Sequence, residues 1–323
     1  MARHPFSSGD PVADRRADYA RMLAESKHHA EAAEVMTQAL EQAPAWAAGW
    51  FQLADYAEKS GGRKAAIAAL STVLRLDPAD IFGAGLKLAL LGATSPPAVP
   101  PAGYVERLFD DYAARFDTAL VERLAYTVPE KLAALILDHA GATAHFPVVT
   151  DLGCGTGLFG QRIRSHAGTL EGFDLSTNML AQAAEKAVYD RLAKADLSRP
   201  AAESGLFGPG VPEGRCDLAT AADVLIYLGD LHDIFPSVAR LLRPGGLFAF
   251  SLEDGGEASG PVLRPSLRYA HPAAFIRQLA AENGFAILAC RCEVIRMDAG
   301  APVSGLLFLA RHGEDVLSAA CAA

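Results

Sequence analysis

Three aspartates, Asp151, Asp174 and Asp196, each stand at the end of a short apolar run, and glycines at 153, 155 and 157 follow the first of them in "DLGCGTGLFG". Glycine at a strand-to-helix turn bends the chain sharply and lets a ligand approach the main chain. The ligands to weigh are a dinucleotide, a nucleoside triphosphate, or a molecule without phosphate. A Walker-type loop needs GxxxxGK[ST]; here the spacing differs and no lysine lies between Asp151 and Thr169. A dinucleotide fingerprint needs GxGxxG, whereas these glycines alternate as GxGxG, so a dehydrogenase is the weakest reading. Asp174 can accept both hydroxyls of an adenosine ribose. Asp196, in "KADL", is placed to accept an adenine amino group, with the Leu197 amide at a ring nitrogen. With no Lys or Arg in the loop, the ligand reads as an adenosine without phosphates.

A second set of polar residues lies beyond the fourth and fifth apolar runs. Asp223 and Tyr227 follow "CDLATAADVL", Glu253 closes "LFAFSLE", and "LRYAH" supplies Arg268, Tyr269 and His271. An imidazole serves as a general base near neutral pH, and an arginine clamps a carboxylate. His271, Tyr227 and Glu253 are therefore the catalytic candidates, and Arg268 and Tyr269 the substrate-binding ones. The plainer role for His271 is to begin or cap the helix "HPAAFIRQLAAENG".

These residues need a scaffold. From Val148 onward, apolar runs at 148–152, 170–175, 190–197, 216–225, 247–253, 285–295 and 305–311 alternate with helical segments near 157–167, 177–188, 231–243 and 272–283. That alternation calls for a mostly parallel, Rossmann-like α/β sheet of seven strands. "DAGAPVSG" is too short for a crossover, so the last two strands form an antiparallel hairpin. Upstream, "GYVERLFDDYAARFDTALVERL" reads as a helix with Phe109, Tyr112 and Phe116 on one face.

Residues 13–94 are alanine-rich and helical throughout. Pro44 and Pro78 close the similar phrases "ALEQAP" and "VLRLDP", 34 positions apart, the period of tetratricopeptide repeats. Trp50, Leu53, Ala54, Gly61, Ala66, Leu70 and Val73 fit such a repeat. The first copy is poorer, with Arg16 and Lys27 at the Trp50 and Gly61 positions, and "DIFGAGLKLALLGA" reads as a capping helix. The proline-rich stretch at 95–103 is a linker, giving a helical domain at 13–94 and an α/β domain at 104–312.

Across 104–312, "VVTDLGCGTG…GFDLS…ADL…DLATAADVLIYLGDL…LLRPGGLFAFSLE" resembles the class I S-adenosylmethionine-dependent methyltransferases. With "YVERLFDDYAARFD", "RYAH" and "GAPVSGLLF", the chain is similar to bacterial methyltransferases carrying an N-terminal tetratricopeptide module. The resemblance implies S-adenosylmethionine as cofactor. Asp151 and the Gly153–Cys154–Gly155–Gly157 backbone would hold its methionine end, and Asp174 and Leu175 the ribose. Met179 would pack beside the adenine, whose edge Asp196 and Leu197 would read, and Ala222 and Asp223 would line the sulfonium side. Tyr112 divides between a lid contact over the cofactor and plain packing. The implied activity is methylation of a small molecule. The alternatives are a protein methyltransferase whose repeats recruit the substrate, and a non-catalytic cofactor-binding assembly factor.

The rest of the chain narrows the setting. It has 323 residues and a net charge of −9, which argues against a nucleic-acid partner. It contains no membrane-length apolar run and no apolar leader. Its five cysteines are scattered, with no metal-ligand spacing, which fits reduced thiols in a cytoplasmic protein.

Overall fold

A computed structural model describes residues 7–113, 125–208, 211–298 and 300–313. The chain falls into two compact units, Met1–Tyr104 and Val105–Ala323.

The first unit contains helices α1 (Pro11–Glu25), α2 (His29–Gln42), α3 (Ala47–Lys59), α4 (Arg63–Leu76) and the short α5 (Ala84–Leu90). Asp10 caps α1 by accepting from the amides of Val12 and Ala13, and Pro11 occupies the first turn, where a missing N–H costs nothing. Small residues let the helices approach closely. A Cβ on Gly49 of α3 would collide with Trp46 and would lie 2.9 Å from Met36 of α2. The 34-residue offset is physical: Ala20, Ala32, Met36 and Ala39 are buried, and so are Ala54, Ala66, Leu70 and Val73. Lys27 (φ 66°) and Gly61 (φ 84°) make the same left-handed turn, which a lysine tolerates at a cost of about 1–2 kcal/mol.

Helix α6 (Ala102–Tyr112) leads into the second unit, followed by α7 (Val128–Ala140). There, β1 (Phe146–Leu152), β2 (Ala167–Asp174), β3 (Arg191–Lys194), β4 (Cys216–Ala221) and β5 (Leu242–Asp254) pair in parallel in the order 3-2-1-4-5. Helices α8 (Leu158–Ile163), α9 (Thr177–Glu185) and α10 (Ile234–Leu241) follow β1, β2 and the β4 turn. Two short strands, β6 (Val262–Leu263) and β7 (Tyr269–His271), precede α11 (Ala273–Glu282). The hairpin β8 (Phe285–Asp298) and β9 (Ala301–His312) closes the sheet, with β9 antiparallel to β5.

Burial on both faces explains the near-continuous apolar strands. Ala219, Phe248, Phe250 and Phe308 face one core, with Phe235 of α10 and Leu279 of α11. Leu218, Ala249, Leu307 and Leu309 face the other, with Ile136 of α7 and Ile163 of α8.

The sequence reading needs three corrections. The sheet has nine strands among the described residues, because "LRYAH" is not a loop: Tyr269–His271 pairs in parallel with Glu253 and Asp254. The third and fourth apolar runs stop short as strands, at Lys194 and Ala221, and the chain turns there. The helix expected after 157 spans only Leu158–Ile163, with a 3₁₀ turn after it. Phe116 lies outside the described residues, as does the Tyr112 side chain at the end of α6.

Candidate functional site

The turn after β1 is left-handed at Gly153 (φ 65°), Gly155 (φ 54°) and Gly157 (φ 90°). Cβ atoms are excluded there for two reasons. At Gly153 one would overlap Val224, so the glycine loop and the turn after β4 lie in direct contact. At Gly157, Gly160 and Gly172 one would strike the ring of Tyr189, which occupies a slot those glycines leave open. From it the Tyr189 phenol donates to Asp151 Oδ2 at 2.7 Å, while Thr220 of β4 donates to Oδ1 at 2.9 Å. Burial pushes the Asp151 carboxyl up to about 7, against these two hydrogen bonds.

Asp174 ends β2 with both oxygens held. The Gly155 amide donates to Oδ2 at 2.8 Å and the Ser176 amide to Oδ1 at 2.8 Å. Burial raises its pKa to about 6, and the amides of Ser176, Gly155 and Leu175 pull the other way. The Cys154 amide bonds to the Phe173 carbonyl at 2.9 Å, which pins the loop to β2, while burial pushes its thiol up. Met179 is buried on the first turn of α9, which Ser176 caps. Asp196 accepts from the Ser198 amide at 3.0 Å and hydroxyl at 2.5 Å, with Leu197 buried beside it. The three strand ends read from sequence as an adenosine pocket lie side by side at the carboxyl edge of β1, β2 and β3.

Helix α6 closes over this edge. Asp110 accepts from the Ser176 hydroxyl at 2.5 Å and the Asn178 amide at 3.3 Å, and Glu106 pairs with Lys194. Phe109 meets the Tyr227 ring edge-on, centroids 5.0 Å apart. Tyr227 follows β4 in a 3₁₀ turn. It ties the cofactor side to the second polar group.

That group centres on Arg296 of β8, whose side chain is only 1% exposed. Nη1 donates to both Asp223 oxygens, at 2.9 and 2.8 Å, and Nη2 to Glu253. Asp223 follows the half-buried Ala222 and adopts φ 60°, while its amide donates to Ser251 Oγ at 2.8 Å. Burial pushes the Glu253 carboxyl up, and Arg296 and Arg268 draw it back down. Glu253 is therefore engaged by a cation, which distinguishes it from an open general base. Arg268 donates through Nε to the Tyr227 oxygen at 3.2 Å. Tyr269 is buried in β7, and burial moves its phenol to about 12. Burial pushes the Tyr126 phenol well up, and the charge of Asp223 adds to it, so this tyrosine belongs to the same cluster.

His271 does not cap a helix. It is the last residue of β7, fully buried, and Pro272 takes the cap position of α11. Burial lowers its pKa to about 4. The backbone at Leu228 and Gly229 approaches the ring, yet neither imidazole nitrogen reaches hydrogen-bond geometry.

Sequence reasoning missed Tyr189, Thr220, Asp110, Tyr126 and Arg296. Only the apolar run around Arg296, where a charge interrupts "CEVI–MD", carried any signal. Among the described residues no His, Cys, Asp and Glu cluster is suited to a metal ion.

Comparison with known proteins agrees with this geometry. Residues 150–248 match the family model described as a methyltransferase domain. A malonyl-[acyl-carrier protein] O-methyltransferase from Pectobacterium atrosepticum is 35% identical over 136 residues, 41% of this chain and 47% of that protein. A ubiquinone biosynthesis O-methyltransferase from Thiobacillus denitrificans is 30% identical over 103 residues, 32% of this chain and 43% of that protein. The chain thus spans less than half the length of these curated relatives. Among solved structures, the [4+2]-cyclase SpnF aligns over 67% of this chain and 98% of its own, with a TM-score of 0.54 and 16% identity. That likeness establishes the fold. Because SpnF is a cyclase, the fold by itself does not fix the reaction.

Proposed function

We propose that the protein is an S-adenosylmethionine-dependent methyltransferase acting on a small-molecule acceptor. The observation that carries this is the Asp174 carboxylate, held by one amide on each oxygen at the end of β2 with lone pairs left for two ribose hydroxyls. The residues present fit the cofactor: Asp174 and Leu175 the ribose, Met179 and the Asp196–Leu197 edge the adenine. Asp151 and the Gly153–Gly157 backbone fit the methionine end, with Ala222 and Asp223 on the sulfonium side. When bound, the cofactor supplies an activated methyl group, so the chain needs to align the acceptor, exclude water and accept a proton. His271 and Tyr227 are the proposed proton-handling groups, and Glu253 and Tyr269 shape the acceptor side. The malonyl and ubiquinone O-methyltransferases among the relatives support a small or carrier-bound acceptor.

The helical unit is read as a tetratricopeptide module. The 34-residue recurrence of buried positions and of the left-handed turn supports this. A cleft of about 500 Å³ in that unit, lined by Asp10, Trp46, Asp77 and Phe82, favours a second reading in which it holds a peptide partner. No described helix is long and apolar enough to cross a membrane, and we place the protein's work in the cytoplasm.

The test is incubation with methyl-labelled S-adenosylmethionine and a fractionated cell extract. Label on a metabolite supports the first reading and label on a protein the second. Tight cofactor binding without any transfer would leave an assembly factor and overturn both.

A further inference from the structure

Two arginines reach the ends of β4 and β5, and their partners differ. Arg296 spends both terminal nitrogens, bridging Asp223 and Glu253, and its buried Nε has no partner among the described residues. Arg268 does not spend both of its own. Its Nε meets a neutral phenol at 3.2 Å, and its Nη1 stands 3.4 Å from Asp298, a carboxylate that is itself 45% exposed. Nη2 has no partner among the described residues, although only 22% of the Arg268 side chain is exposed. A guanidinium offers five N–H donors in a fixed fork; Asp223 and Glu253 add to the charge balance at Arg268 without a hydrogen bond to it, which leaves its Nη2 edge for a further acceptor. The Tyr227 ring lies 5.9 Å from the guanidinium carbon. The hairpin between β6 and β7 puts Leu267 in a left-handed conformation (φ 62°), where glycine would be usual. Backbone strain next to a guanidinium edge without a partner, beside an aromatic ring, marks a site organised for something else.

We infer that Arg268 anchors a carboxylate on the methyl acceptor, with the Tyr227 and Phe109 rings walling the body of that molecule. This rests on reading the unit as a methyltransferase whose acceptor lies beyond β4 and β5. A monoanion fits better than a phosphate dianion. Asp223, Glu253 and Asp298 already face Arg268 and Arg296, so only a ligand of one negative charge that takes the place of Asp298 leaves the charge balance unchanged. Asp298, the exposed partner, is the group an incoming carboxylate displaces. The carboxylate is an anchor, and the atom methylated lies elsewhere on the acceptor, toward the glycine loop.

The experiment uses the full chain saturated with S-adenosylhomocysteine and follows binding of benzoate and malonate against benzamide and malonamide by ligand-observed NMR. The acids should bind at least about tenfold more tightly than the amides, the scale of one charge-assisted pair. Arg268→Gln should erase that preference and Arg268→Lys keep part of it. Asp298→Asn should tighten acid binding by removing the competitor. S-adenosylhomocysteine affinity should stay within about twofold in all three, which shows the variants are folded. Equal binding of acids and amides, no acid binding at all, or a preference that survives Arg268→Gln would overturn the anchor. Failure of the unaltered protein to bind S-adenosylhomocysteine would instead overturn the methyltransferase reading beneath it.

Discussion

Arg296 and Asp223 lie 73 positions apart, and Arg296 Nη1 donates to both oxygens of Asp223, at 2.9 and 2.8 Å. The pair joins the closing hairpin of the sheet to the turn after β4. It also holds Asp223 at φ 60°, a conformation that costs a non-glycine residue about 1–2 kcal/mol. That same turn carries Val224 onto Gly153, so the pair fixes the glycine loop from behind. Removing one partner of a buried ion pair leaves an uncompensated charge. Arg296→Met should therefore lower unfolding free energy by about 3–5 kcal/mol in denaturant titrations. A loss under about 1 kcal/mol would mean that water already reaches the cluster.

We propose Asp174 as the residue on which cofactor recognition turns. Asp174→Ala should weaken S-adenosylmethionine binding by about 1.5–3 kcal/mol, the scale for losing a charged hydrogen-bond acceptor. Isothermal titration calorimetry reads this directly. Unchanged affinity would remove the ribose assignment, and measurable NAD binding by the unaltered chain would reopen the dinucleotide reading.

Two buried titratable groups make binding and stability depend on pH. Asp151 moves from an ordinary 3.8 to about 7 through burial, so the folded state holds a proton that the unfolded state releases. Its contribution to stability therefore falls as pH rises between about 4 and 7. His271 runs the other way: its pKa drops from 6.5 to about 4, so its contribution grows as pH rises over that window. Comparing thermal unfolding of the unaltered protein with Asp151→Asn isolates the first effect. The variant should gain most, relative to the unaltered chain, at pH 8. If Asp151 faces the cofactor ammonium, it must be ionised to do so, and affinity should climb from pH 6 to 8. In Asp151→Asn the climb should shrink to the part nearer pH 6 that Asp174 contributes; an unchanged climb would remove the Asp151 assignment.

The elements that could be read from sequence were those whose signal is local. Glycines at 153, 155 and 157 announce a turn because only glycine takes three left-handed positions so close together. The mostly parallel sheet follows from strand and helix alternation, and the hairpin from the short link between β8 and β9. What escaped was set by distant partners. Tyr189 looks like any aromatic after a helix until Gly157, Gly160 and Gly172 are seen to leave room for its ring. Arg296 looks like a strand-surface charge until Asp223 and Glu253 arrive from two other strands. β7 has three residues, too few to show an alternation, and its pairing comes from β5 running past the end of β4.

A chain starting near Pro100 tests whether the α/β unit stands alone. Tyr104 belongs with the helical unit, where its ring lies 2.9 Å from the place of a Cβ on Gly83, so a chain from Pro100 leaves that ring without its contact. The shortened chain should still fold and bind cofactor, with a modest loss of stability from that contact. If the repeats also shape the acceptor site, label transfer will fall while cofactor affinity holds. An insoluble fragment would contradict the boundary at 95–103.

His271 poses the sharpest choice between packing and chemistry. Its imidazole is fully buried, both nitrogens lack hydrogen-bond partners, and burial holds its pKa near 4. Two unsatisfied polar atoms cost about 1–3 kcal/mol, so an apolar residue of similar size should suit the fold better. A residue kept at that cost is best explained by the reaction. At neutral pH the ring is unprotonated and free to accept a proton from an acceptor. A base this weak captures one poorly, which puts its effect toward the lower end of the usual 10²–10⁴-fold range, about a hundredfold. His271→Leu should therefore be more stable than the unaltered protein and transfer label about a hundredfold more slowly, with cofactor affinity unchanged. A variant that is more stable and equally active would make His271 a packing residue. One that is less stable and equally active would show that the imidazole nitrogens find partners the fold needs. Tyr227, already hydrogen-bonded to Arg268, would then be the remaining proton-handling group, and Tyr227→Phe the next variant to measure.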